Sequence, residues 1–179
     1  KVKVEEQYTR SATGGVGSTK SAGNDGGAFF PTNEAKKEGY TQVIWTDHKS
    51  HELVEESGTM NIGFVIGDTF ITPPLSDRIL SGVTRDSVLR LLRDGRELTV
   101  EERPIKVEEV IDAAQSGKLR EAFGMGTAAV ISPIEAIGYR GTDYPVPTPE
   151  EGTGAKLKRT LTDIRQGRAE DPYGWMTLL

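Results

Sequence analysis

The chain has 179 residues, enough for one substantial domain with its own core. Its 22 basic and 27 acidic residues leave a net charge of −5, which argues against nucleic acid as a partner. No apolar run reaches the ~18 residues of a membrane span, no signal peptide opens the chain, and the lack of cysteine removes disulfides, thiolate chemistry and cysteine-based metal sites. A soluble, cytoplasmic protein is expected. Since Lys1 and not methionine stands first, so is a processed chain or a piece of a longer one.

The first distinctive stretch is GGVGSTKSAGND, Gly14 to Asp25. It misses a Walker A loop by one glycine: Thr19 stands immediately before Lys20 and Ser21. No apolar strand leads straight into it, so a nucleotide loop is disfavoured and Lys20 needs another explanation. TQVIWTD, Thr41–Asp47, reads as a buried strand. HELVEE and TMNIGFVIGDTFIT follow as further strands, with a tight hairpin turn at Gly67-Asp68. EESGTMN, Glu55–Asn61, is the turn between two of them. VTRDSVLRLLRDG reads as a helix with Val88, Leu91 and Leu92 on one face and its end at Gly95. The Val83 and Thr84 amides fall at its N-terminus, where an anion is held favourably.

ELTVEERPI reads as another strand, and Glu101-Glu102 and Glu108-Glu109 as solvated faces. In KVEEVIDAAQSG, Val107, Val110, Ile111 and Ala114 recur at helical spacing and Gly117 closes the helix. FGMGTAAVISP is a glycine-flanked turn entering a strand, with Thr127 able to offer a hydroxyl and an N–H, and Pro133 marking a break before the next strand. A proline-rich loop then leads to a last helix carrying Leu157, Leu161 and Ile164 on one face. Antiparallel hairpins mixed with helices predict an α+β or barrel-like α/β fold, in one domain spanning 1–179. His48 and His51 lack further ligands and read as a solvated pair, with no metal site; Trp45 and Trp175 read as core or interface aromatics.

A lysine, a carboxylate and two small-residue anion sites are the parts a pyridoxal phosphate enzyme needs. With YTR…GG.G..K..GN, EESGTMNI.FV, TPPL…L.GVTRDSVL, EAFG.GTAAVISP and DIRQGRAEDPYGW in that order, the chain from about Tyr8 onward resembles the branched-chain amino-acid aminotransferases of fold-type IV. The resemblance covers the larger, C-terminal cofactor-binding domain; the family's N-terminal domain would precede Lys1. It implies pyridoxal phosphate as cofactor, and an amino acid and a 2-oxo acid as small-molecule partners in amino-group transfer. It also implies a homo-oligomer.

Carried over by motif, Lys20 is the amine that holds the cofactor and moves the proton, and Glu56 the carboxylate facing the pyridine nitrogen. Val83, Thr84 and Thr127 fall where the family binds phosphate, and Thr59 and Ala128 near the substrate carboxylate.

The chain also departs from the pattern. Asp25 stands where the family has a tyrosine that donates to the cofactor's phenolic oxygen, Gly26-Gly27 replace larger residues, and Ser81 replaces proline. Gly63 stands where phenylalanine is usual, which predicts a void beside the substrate side chain. These changes predict a wider, more polar pocket and impaired turnover. Two other readings stay open at this point: an engineered or non-enzymatic stand-alone domain with a remodelled small-molecule pocket, and another fold-type IV enzyme, a lyase or D-amino-acid transaminase.

Overall fold

The computed structural model describes residues 1–177. Two five-stranded sheets face each other. The first is ordered β10-β9-β1-β2-β3 and the second β6-β5-β4-β7-β8. The first is built from β1 (Val2–Val4), β2 (Gln42–Thr46), β3 (Val54–Ser57), β9 (Ala136–Tyr139) and β10 (Thr142–Pro145). β1 runs parallel to both β2 and β9, while β3 and β10 are antiparallel to their neighbours. The second comprises β4 (Asn61–Ile66), β5 (Thr69–Thr72), β6 (Thr99–Glu102), β7 (Leu119–Gly126) and β8 (Val130–Pro133). It is antiparallel except for the β5–β6 edge. The α+β expectation holds, and Gly67, at φ +56°, makes the β4–β5 hairpin turn with Asp68.

Period-two alternation decides which layer each strand residue enters. Ile44 of β2 joins Val2, Val4, Ile62, Phe64 and Ile137 between the sheets, while Val43 and Trp45 point to the outside. Helix α3 (Val107–Gln115) adds Val107, Val110, Ile111 and Ala113 to the inner cluster and touches β10 of one sheet and β7 of the other. Ala114, expected on that face, is only partly buried. On the outer face of the second sheet, Val65, Phe70, Phe123 and Met125 pack against helices α2 (Val83–Gly95) and α4 (Thr153–Arg165). From α2 the buried set is Val88, Leu89 and Leu92, with Leu91 at its margin. Its left-handed terminal residue is Arg96, one beyond the expected glycine. From α4 come Leu157 and Leu161, and Ile164 is buried as well.

Helix α1 (Ala22–Lys37) is the longest element that sequence reasoning missed; strands β1 and β10 were not expected either, and FGMG, read as a turn, is the end of β7. Three glycines and Pro31 lie inside α1, and each glycine costs about 0.8–1 kcal/mol of helix propensity relative to alanine. Tertiary packing overrides this: Asn24, Ala28, Pro31 and Ala35 recur on one face, which covers Val43 and Trp45 on the outside of the first sheet. One further reading needs correction. The strand expected through ELTVEERPI is confined to Thr99–Glu102. Glu102 is exposed as expected, and it also accepts from the buried Arg85 at 2.7 Å and from Arg93 at 2.6 Å.

Candidate active site

The centre of the site is the β3–β4 turn, where the chain crosses from one sheet to the other. Ser57 and Met60 exchange backbone hydrogen bonds of 2.9 Å, and Gly58 takes φ +57°. Gly58 also receives the Trp45 indole N–H on its carbonyl at 2.9 Å and donates to Val43 at 2.8 Å, so the turn is bound to β2. Glu56 enters this turn fully buried, at 2% exposure. One carboxylate oxygen pairs with Arg10 at 2.9 Å; the other accepts from Asn61 Nδ2 at 3.1 Å and the Leu80 N–H at 3.0 Å. Burial pushes the Glu56 carboxyl up from 4.5 to about 7, against the pull of Arg10, the Leu80 amide and the Lys20 ammonium. Its neighbour Glu55 is buried too, is also pushed up by burial, and is ion-paired to Arg78.

Lys20 is exposed and lies at the end of the loop that precedes α1, near enough for its charge to act on Glu56. The loop is held from both sides. Asn24, in the first turn of α1, donates from Nδ2 to the carbonyls of Val16 and Thr19, each at 2.9 Å. Arg10 donates to the Gly17 carbonyl at 3.3 Å and to the Arg78 carbonyl at 3.1 Å. The chain approaches so closely at Gly17 that a Cβ there would sit 2.8 Å from the Arg78 backbone. Only glycine fits.

Asn61 ties the carboxylate to the anion end. Its amide also donates to the Leu80 carbonyl at 2.8 Å, and its side chain fills the place a Cβ on Gly82 would take. Gly82 is the N-cap of α2 and brings no side-chain cap, so among the described residues no cap side chain occupies the donors at the positive end of the helix. Val83 and Thr84 share an open cleft of about 480 Å³ with Thr127 of the β7–β8 turn, bordered by Ser87, Arg90 and Trp175. Trp175 is half-buried there and stacks on Tyr173 with centroids 4.3 Å apart.

Thr59 and Ala128 are both exposed on turns at this same sheet end. Asn61 pairs with Met125 across β4 and β7, and the Met60 side chain lies over Gly124 and Gly126, which brings the two turns together. Asp25 lies half-buried in the first turn of α1, where a carboxylate suits the helix dipole. Gly26 and Gly27 border open space, since a Cβ on either would meet nothing within 4 Å.

Gly63 departs from its expected role. It faces the outer cluster with Phe70 and Met125, and a Cβ there would lie 2.5 Å from Phe70 Cε2. Phe70 fills the predicted void, so Gly63 is a packing residue in β4 and does not line the pocket. His51 accepts or donates at Nδ1 to Thr46 Oγ1 at 2.8 Å. Arg10, Asn61 and the Leu80 amide were not singled out from the sequence. Arg10 sits in the YTR motif, but only the fold reveals that it meets Glu56.

A family model described as amino-transferase class IV matches residues 22–137. The chain is 44% identical over 177 residues, 98% of its length, to a probable branched-chain-amino-acid aminotransferase of Staphylococcus epidermidis, of which it covers 49%. It is thus similar to relatives about twice as long as itself. Among solved structures, a branched-chain aminotransferase from Thermoproteus uzoniensis with norvaline superposes with a TM-score of 0.82 at 28% identity, over 99% of this chain and 55% of the other. The branched-chain amino acid aminotransferase of Thermobaculum terrenum in its PLP form gives 0.74 at 25% identity, over 94% of this chain and 51% of that one. The chain belongs to the class IV aminotransferase family.

Proposed function

We propose that this chain holds pyridoxal phosphate and contributes the cofactor half of a transaminase acting on aliphatic amino acids and 2-oxo acids. The observation that carries this is the convergence of Lys20, buried Glu56 and the uncapped α2 N-terminus at one sheet end. The donor set fits the cofactor. Val83, Thr84 and Thr127 would take its phosphate at a glycine-capped helix start. Glu56 would face its ring nitrogen, and Lys20 would hold its carbonyl carbon. When bound, the group supplies an electron sink for amino-group transfer.

The remaining chemistry falls to the chain. Glu56, held by Arg10, Asn61 and Leu80, lacks enough countercharge to stay ionised below about 7, and a protonated ring nitrogen would supply it. Lys20, on its latched loop, would serve as the acid–base group that moves the substrate's proton. Thr59 and Ala128 would receive the substrate carboxylate on the paired turns. Asp25 is the discordant member, because it offers no donor to a phenolate. Val83 is 81% exposed and the cleft beside it is open, so water reaches the site and turnover by this chain alone is weak. Val16 in the lysine loop and Phe29 and Phe30 on α1, at 59%, 67% and 57% exposure, support a homo-oligomer.

Incubation with pyridoxal phosphate, borohydride reduction and peptide mapping tests the assignment. One cofactor mass on the peptide containing Lys20, lost in Lys20→Ala, is expected. Label scattered over surface lysines would sink the reading.

A further inference from the structure

The lysine loop is fastened to one short segment, Ser76–Arg78, more heavily than its exposure suggests. Four of these bonds use backbone groups of that segment or of the loop. Ser11 Oγ donates to the Arg78 carbonyl at 3.0 Å, as does Arg10 at 3.1 Å. The Ser18 N–H donates to the Asp77 carbonyl at 2.9 Å, and the Gly14 N–H to the Asp77 carboxylate at 2.6 Å. Arg78 adds a donation from Nη1 to Thr13 Oγ1 at 2.9 Å while its Nε pairs with buried Glu55. Two residues later the same segment gives its Leu80 N–H to Glu56.

We propose that Asp77 and Arg78 are positioning residues that clamp the tip of the lysine loop, Thr13 and Gly14, and so hold Lys20 in register with Glu56. The physical reason lies in the loop's composition. Three of the residues from Gly14 to Ser21 are glycine, so the loop has little stiffness of its own. Its conformation must come from outside contacts. The anchor is rigid because Glu55 is 4% exposed at its side chain and is held in β3, one residue before Glu56. Loop and carboxylate are therefore referenced to the same strand. The bonds to the Arg78 and Asp77 carbonyls survive a side-chain change at Asp77, so removing its carboxylate releases the tip without detaching the whole loop.

This inference rests on the proposed role of Lys20, and the test separates the two. Hydrogen exchange on the cofactor-free chain compares Asp77→Ala with Asp77→Asn, which keeps an acceptor for Gly14. Exchange over residues 12–20 is expected to quicken about tenfold in Asp77→Ala, the scale of one charge-assisted hydrogen bond, and to stay near native in Asp77→Asn. In parallel, the rate of borohydride-trapped labelling by pyridoxal phosphate at Lys20 should fall several-fold in Asp77→Ala and recover in Asp77→Asn. Labelling of Lys37, remote and 71% exposed at its side chain, should not change. Arg78→Met with Glu55→Gln should repeat the effect without stranding a buried charge; if that double variant does not fold, the aspartate pair decides alone. Unchanged loop exchange in Asp77→Ala overturns the clamp. Faster exchange with unaltered Lys20 labelling overturns its role in positioning the amine. Absence of Lys20 label in the unaltered chain overturns the cofactor reading, while the exchange data still judge the clamp.

Discussion

Glu56→Gln should change how the stability of the cofactor-free chain depends on pH. In the folded chain burial lifts the Glu56 carboxyl to about 7, while the unfolded chain titrates near the ordinary 4.5. Between those values the folded state keeps a proton that the unfolded state releases, so stability falls as pH rises and levels off above about 7. At about 1.36 kcal/mol per pH unit, this group alone removes on the order of 3 kcal/mol across the window. Glu55 is displaced in the same direction, whereas Asp47, held near 2 by amides of its own loop despite burial, titrates below the window. Subtracting the Glu56→Gln curve from the parent curve isolates Glu56, and the constant cost of facing Arg10 with a neutral amide cancels. Urea unfolding followed by circular dichroism at half-unit steps from pH 4.5 to 8 measures the difference. It should narrow by about 3 kcal/mol, the parent losing its advantage as pH rises. Two curves that stay parallel would mean that Glu56 is ionised throughout, and that Arg10 and the two N–H donors outweigh burial.

Gly63→Ala should destabilise by about 1–3 kcal/mol in urea, because the new methyl meets the fully buried Phe70 ring, and Gly63→Phe by more; a stable Gly63→Phe would restore the void that the packing denies. Glu121→Ala should cost about 0.5–2 kcal/mol and lower Tm accordingly, since this β7 carboxylate accepts from the Thr153 and Gly154 amides at 2.6 and 2.8 Å and so caps α4 from outside the helix; an unchanged Tm would refute the cap. Asp25→Tyr should tighten pyridoxal phosphate about tenfold or more, as a restored donor to a charged oxygen implies, and equal dissociation constants in titration would remove Asp25 from the cofactor's surroundings. Phe29→Ser with Phe30→Ser should reduce self-association in sedimentation, and an unaltered distribution would place the oligomer contact elsewhere.

The sequence was readable where a signal is local. Short apolar runs rich in β-branched and aromatic residues mark β2, β4 and β5, which are buried on both faces, and 3.6-residue spacing marks α3 and α4, where one buried face suffices. The ordered motifs likewise single out Lys20, Glu56, Val83, Thr84 and Thr127 as residue types suited to one chemistry. Helix α1 escaped notice because its glycines and Pro31 oppose local propensity. Its stripe of Asn24, Ala28, Pro31 and Ala35 has meaning only once Val43 and Trp45 stand opposite it. Gly63 was misplaced for a related reason: residue type alone does not say which face of β4 looks at the pocket, and Phe70, seven positions on, fills the space. The meeting of Arg10, Glu56, Asn61 and Leu80 joins segments up to 70 residues apart in a chain whose pattern records no pairing between them. Periodicity fixes which side of an element is buried. Only the packed sheets decide which buried carboxylate meets which donor, and thereby how strongly Glu56 holds its proton.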